Sequence, residues 1–177
     1  MADVYAVFGT LLALGIAFPG MLLAYRLLFP QFVDRAQRRV SNGAGGAFGV
    51  GLVGALVLAI PVIVLLALPF GPAKFLGGSM LMASLAFASL GAAGVAAAMG
   101  ANYQQAAGDD VSSTGAFVRA AVALELAAAF PFLGWFLVIP VMVFVSFGAA
   151  LGALLGARSN ARSPLAEGAL AHEPQSA

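Results

Sequence analysis

Few residues in this chain are of a type that does chemistry, and the one set deepest in an apolar run is Glu125, within FVRAAVALELAAAF at 117–130. An ionised carboxylate in hydrocarbon costs several kcal/mol or much more. Glu125 is therefore expected to be protonated, hydrogen-bonded inside a helical bundle, or facing a wet cavity. Two roles fit it: a station on a proton or cation route, or a clamp holding its helix to backbone carbonyls, serines or tyrosines. Arg119 stands six residues earlier, about 9 Å along a helix and on another face, so it is not the natural partner. Arg26 is better placed to meet the Arg119 end of that helix than Glu125 itself.

The remaining candidates carry less. Asp109 and Asp110 are adjacent carboxylates in a polar loop, read as a solvated turn, and His172 stands alone in a polar tail. The chain has no cysteine, which removes disulfides, iron–sulfur clusters and thiol catalysis. No HExxH, phosphate loop or nucleophile elbow occurs, and GAGG at 43–46 lacks the preceding strand and the spacing of a dinucleotide loop. Asn102, Tyr103, Gln104 and Gln105 form a polar patch suited to a membrane face. The expectation is a protein without cofactor or metal and without enzymatic activity.

The elements that must hold these residues are apolar helices. Of 177 residues, 62% are hydrophobic and 8% charged, and the mean hydropathy is +1.02. Soluble domains carry about 25% charged residues, so the fold class expected is all-α, a polytopic transmembrane helical bundle. A net charge of +1 gives no footprint for nucleic acid. No Lys or Arg precedes the first apolar run, so that run reads as a retained span rather than a signal peptide. Candidate spans cover about 4–29, 48–68, 75–99, 116–133 and 135–156, forming one membrane domain over 1–157. The tail, 158–177, is rich in Ala, Ser and Pro without apolar periodicity and reads as disordered and cytoplasmic. Within the first polar loop, 30–47, AQRRV reads as a short interfacial helix.

Whether 116–133 crosses decides the topology. Arg26, Arg35, Arg38 and Arg39 place the first loop in the cytoplasm by the positive-inside rule. With five spans, Arg119, Arg158 and Arg162 are also cytoplasmic, PFLGW forms an outer turn, and Trp135 anchors it at the interface. With four spans and a re-entrant 117–130, Arg158 and Arg162 would fall outside. Five spans are preferred, with the N-terminus outside and the C-terminus inside. The PFLGWF turn followed by a glycine-laced helix resembles small polytopic bacterial membrane proteins, which implies a bacterial inner (plasma) membrane and transfers no residue role.

Lipid supplies no hydrophobic drive between helices, so close packing of small residues must. Gly148, Gly152 and Gly156 form a double GxxxG face on the last helix. Ser84, Ala88, Ala92, Ala96 and Gly100 recur at the same spacing on the third, Ala121, Glu125 and Ala129 on the fourth, and Gly45/Gly49 and Gly51/Ala55 on the second. These ribs suggest other membrane subunits or a homo-oligomer as partners, besides the bilayer. The leading expectation is a structural or assembly subunit of a larger membrane complex. The alternative is a small transporter or channel component with Glu125 on its path.

Overall fold

In the computed structural model, residues 2–108 and 111–160 are described. All their regular structure is helical: α1 (Ala2–Leu28), α2 (Pro30–Ser41), α3 (Ala44–Ala67), α4 (Gly71–Ala107), α5 (Ser113–Ala129), a π-helical turn (Gly134–Val138) and α6 (Ile139–Asn160). Residues 109–110 and most of the tail expected to be disordered, 161–177, lie outside the described residues.

Proline and glycine set most of the breaks. Phe29, forced off the helical region ahead of Pro30, ends α1, and Pro30 starts α2 at a bend of 109°. Leu68 and Phe130 are extended for the same reason ahead of Pro69 and Pro131. Gly108, at φ +76°, stops α4, and the Ser112 side chain caps α5 by accepting from the Gly115 N–H at 3.1 Å. Pro19 does not end α1; it lies buried inside a continuous helix.

Two elements differ from the sequence reading. The first polar loop is largely helix: α2 has 12 residues, not a short AQRRV stretch. Phe32, Val33, Ala36 and Val40 lie on one face, and that face is seated on α4 and α6, with Val33 and Ala36 buried. The third apolar run is also longer than a span. With 37 residues, α4 measures about 55 Å, against a hydrocarbon core of about 30 Å.

Helix α4 is the axis of the bundle and touches α1, α2, α3, α5 and α6. Its segment GAAGVAAAMG, 91–100, is buried at every position except Met99. Only side chains this small let so many helices gather round one. The large residues face outward instead: Val53, Val57, Ile60 and Ile63 of α3 are each more than 60% exposed. Small residues inside and branched aliphatics outside is the arrangement a bilayer favours. Helices α3, α4 and the π turn with α6 are each long and apolar enough to cross, and the bent pair α1–α2 counts as at most a fourth span. The chain is thus a polytopic membrane helical bundle with three to four such elements by length and composition. At 17 residues α5 falls just below that length.

Candidate functional site

Where α3, α4 and α6 meet, glycines bring backbone onto backbone. A Cβ at Gly148 would overlap the Ala47 carbonyl oxygen, and one at Gly51 would overlap that of Phe144. These two contacts are reciprocal across α3 and α6, which run antiparallel. On the other side of α6, the Ser146 carbonyl presses against Gly91 of α4 in the same way. Approaches this close allow Cα–H···O contacts and dense van der Waals packing. Gly152 meets the Arg39 side chain rather than a helix backbone, with Cγ 2.7 Å from where a Cβ would stand, and Gly156 is exposed near the end of α6. On α4, Ala92, Ala96 and Gly100 are buried, while Ser84 donates to the Met80 carbonyl at 2.8 Å.

Arg26, Arg35, Arg38, Arg39 and Arg119 are placed at one end of the bundle. Arg26 donates to the Ser113 carbonyl at 3.2 Å and lies over the Phe117 ring, 4.8 Å from its centroid. Phe117 is fully buried, so Arg26 fastens the end of α1 to the start of α5. Arg119 donates to the Tyr103 hydroxyl at 3.1 Å with its guanidinium 5.7 Å from the ring centroid, joining α5 to the polar end of α4. Arg35 and Arg39 are half-buried on α2, and Arg38 is exposed. Trp135, in the π turn at the opposite end, is 68% exposed.

Glu125 lies between these ends. Arg26 beside Ser113 and Gly15 beside Glu125 set α1 and α5 antiparallel. Glu125 Oε1 is 3.4 Å from where a Cβ on Gly15 would stand, and the side chain is half-buried. Neither arginine of this corner reaches it: both are engaged a few turns away. Among the described residues no hydrogen bond or ion pair involves the Glu125 carboxyl. No group of three His, Cys, Asp or Glu suited to a metal occurs among the described residues. Asp109, Asp110 and His172 lie outside them. Gly43–Gly46 carries no strand before it and simply opens α3.

Two polar groups in the bundle have contacts, or a lack of them, that the sequence did not assign. Ser89 Oγ donates to the Ala86 carbonyl at 2.7 Å and sits 3.2 Å from the Tyr25 hydroxyl, tying α4 to α1. Ser146, 2% exposed, has no hydrogen-bond partner for its Oγ among the described residues. Only a polar residue amid an apolar run, SFGAAL, signalled it. No family model, curated protein or solved structure matches the chain.

Proposed function

We propose that the chain is a non-catalytic subunit of a larger membrane assembly, and that Glu125 docks against a neighbouring subunit. The observation that carries this reading is the half-buried Glu125 carboxyl against Gly15, unpartnered among the described residues while the nearby arginines are committed elsewhere. A carboxyl at this depth is stable only with a donor, a proton or water. The small exposed residues of α1, Ala13, Ala17 and Gly20, lie on the side of that helix turned away from Gly15 and carry no part of this reading. A donor from another subunit would satisfy the carboxyl. The test is purification of the full chain from its native membrane in mild detergent. The expected result is a stoichiometric partner, another protein or a second copy, that Glu125→Leu releases and Glu125→Gln retains. A chain that purifies as a lone monomer, with both variants behaving like wild type, would overturn the reading.

The same carboxyl supports a second reading, a proton or cation route. Gln keeps the size and hydrogen bonding of Glu but cannot titrate. Loss of proton flux into proteoliposomes in Glu125→Gln, with the partner still bound, favours the route over the dock.

The topology that accompanies this proposal has five spans, N-terminus outside and C-terminus inside the cytoplasm of a bacterial inner membrane. The antiparallel run of α5 along α1 supports it, as does the gathering of Arg26, Arg35, Arg38, Arg39 and Arg119 at one end. At 17 residues, about 26 Å, α5 with its following turn suffices for a crossing. With no native cysteine, single cysteines report sidedness directly. Lys74 and Leu133, both exposed, are expected to label from outside when changed to Cys, and Ala106→Cys only from inside. Labelling of position 133 from the cytoplasmic side would defeat five spans. Gly134 is unsuited to this use, because any side chain there collides with the Ala128 carbonyl.

A further inference from the structure

The 109° bend between α1 and α2 leaves a cavity of about 360 Å³ at its elbow, walled by Leu28, Phe29, Pro30, Gln31, Phe32 and Arg35. We propose that this elbow holds the phosphate of an anionic phospholipid, with Arg35 and Gln31 at the headgroup and Leu28 beside the acyl chains. The proposal does not depend on the subunit role above.

Three observations carry it. The first is the wall itself. The cavities between the helices are apolar apart from serines, whereas this one joins an arginine and a glutamine to aliphatic and aromatic residues. Gln31 and Arg35 are four residues apart on α2, so they are neighbours on one face of it. A wall polar on one side and apolar on the other matches an amphiphile better than a soluble anion.

The second is which cations are free. Arg26 and Arg119, at the same end of the bundle, are engaged within the fold by Ser113, Phe117 and Tyr103. On α2, Arg39 lays its stem against Gly152, and Arg38 is exposed and outside the cavity. Arg35 is half-buried, lines the cavity, and has no hydrogen bond or ion pair among the described residues. The single acid of α2, Asp34, is exposed and pairs with none of these arginines. A guanidinium with its donors unused is complementary to phosphate, which it meets with two parallel N–H bonds.

The third is level. The apolar run of α1 ends at Phe29, in the elbow itself. Helix α2 is seated on Gly94 of α4, five residues or about 8 Å before the apolar run of that helix ends at Met99. Both place the cavity where hydrocarbon gives way to headgroups, on the side where the arginines gather. Leu27 and Leu28, 74% and 70% exposed, lead from it back along α1 and offer acyl chains a surface. A basic side chain at this level attracts anionic lipid.

The test uses the full chain in mild detergent, titrated with dioctanoyl phosphatidylglycerol, with dioctanoyl phosphatidylcholine as the reference of no net charge. Native mass spectrometry counts the bound lipid, and circular dichroism checks that each variant is folded. Wild type is expected to bind one phosphatidylglycerol in preference to phosphatidylcholine. Arg35→Gln should weaken that binding about fivefold, the effect of one basic contact with an anionic headgroup. Arg38→Gln, the same charge change on the same helix but outside the cavity, should leave it unchanged. Should Arg35→Gln fail to fold, Gln31→Glu decides, since a carboxylate in the cavity should repel the phosphate and weaken binding at least as much. Glycerol 1-phosphate, a headgroup without chains, should not compete. Equal weakening by Arg35→Gln and Arg38→Gln would mean that the basic end attracts anions diffusely, and overturns the site. So does wild-type binding without preference for phosphatidylglycerol. Competition by glycerol 1-phosphate as strong as by the lipid would make the occupant a soluble phosphate, and overturns it as well.

Discussion

Gly148→Leu is expected to cost at least about 3 kcal/mol of bundle stability, the upper end of what overpacking usually costs. The reason is that the atoms in the way are backbone: the Ala47 carbonyl oxygen and the Gly51 nitrogen. A flexible side chain could swing aside, but α3 would have to move as a whole. Moving it breaks the reciprocal contact at Gly51, so one substitution disturbs both halves of the seam. Gly49→Leu is the matched control, on the same α3 but exposed and with nothing within 4 Å of its Cβ position. Its stability should be unchanged or slightly raised, since Leu is a better helix former than Gly. Unfolding of the purified protein in detergent, followed by circular dichroism, reads both. Equal behaviour of the two variants would show that the α3–α6 seam does not hold the bundle together.

The second large effect is expected at Ala36→Phe. Ala36 is fully buried between Gly94 of α4 and Ala149 and Ala153 of α6, and its Cβ occupies the space a side chain at Gly94 would need. Overpacking of about 1–3 kcal/mol should lift α2 from its seat, raising amide exchange over 30–41 by about 5- to 150-fold. The remaining helices should keep their protection, because α3, α4 and α6 also pack directly on one another. Arg38→Ala, on the exposed face of α2, should leave exchange unchanged. Slow exchange over 30–41 in Ala36→Phe would mean that the polar face, not the buried one, fixes α2.

These two sites also show what the sequence could and could not convey. The all-helical bundle was legible because long apolar runs broken by PFGP, PFLG and FP leave little choice of structure. The seam at Gly148 was visible only as a spacing. Its true partners, Ala47 and Gly51, belong to another helix, and no local pattern says which of many small residues will meet. Gly91 and Gly94 passed unnoticed among neighbours equally small, although a carbonyl and a methyl lie directly on them. The α2 helix carried its apolar face in plain view at Phe32, Val33, Ala36 and Val40. Its arginines drew attention toward sidedness and a short interfacial stretch, and its seat on α4 and α6 depends on glycine gaps far along the chain. At Glu125 the sequence conveyed depth and the need for a partner. The corner where Arg26 and Arg119 are drawn to Phe117, Ser113 and Tyr103 is tertiary, and only there does it become apparent that neither is left for the carboxyl.

The 109° bend between α1 and α2 has a mechanical consequence. A straight helix at the edge of a bundle can slide along its own axis with little resistance, especially one whose neighbours present alanine and glycine. α1 cannot do so toward its N-terminal end, because α2 turns sideways and is lodged against α4 and α6. The pair works as a hook: tension along α1 is transferred to the buried face of α2 and borne by the two helices that hold it. A pull on the N-terminus would therefore load the core of the bundle rather than peel α1 away, with Val33 and Ala36 as the barb.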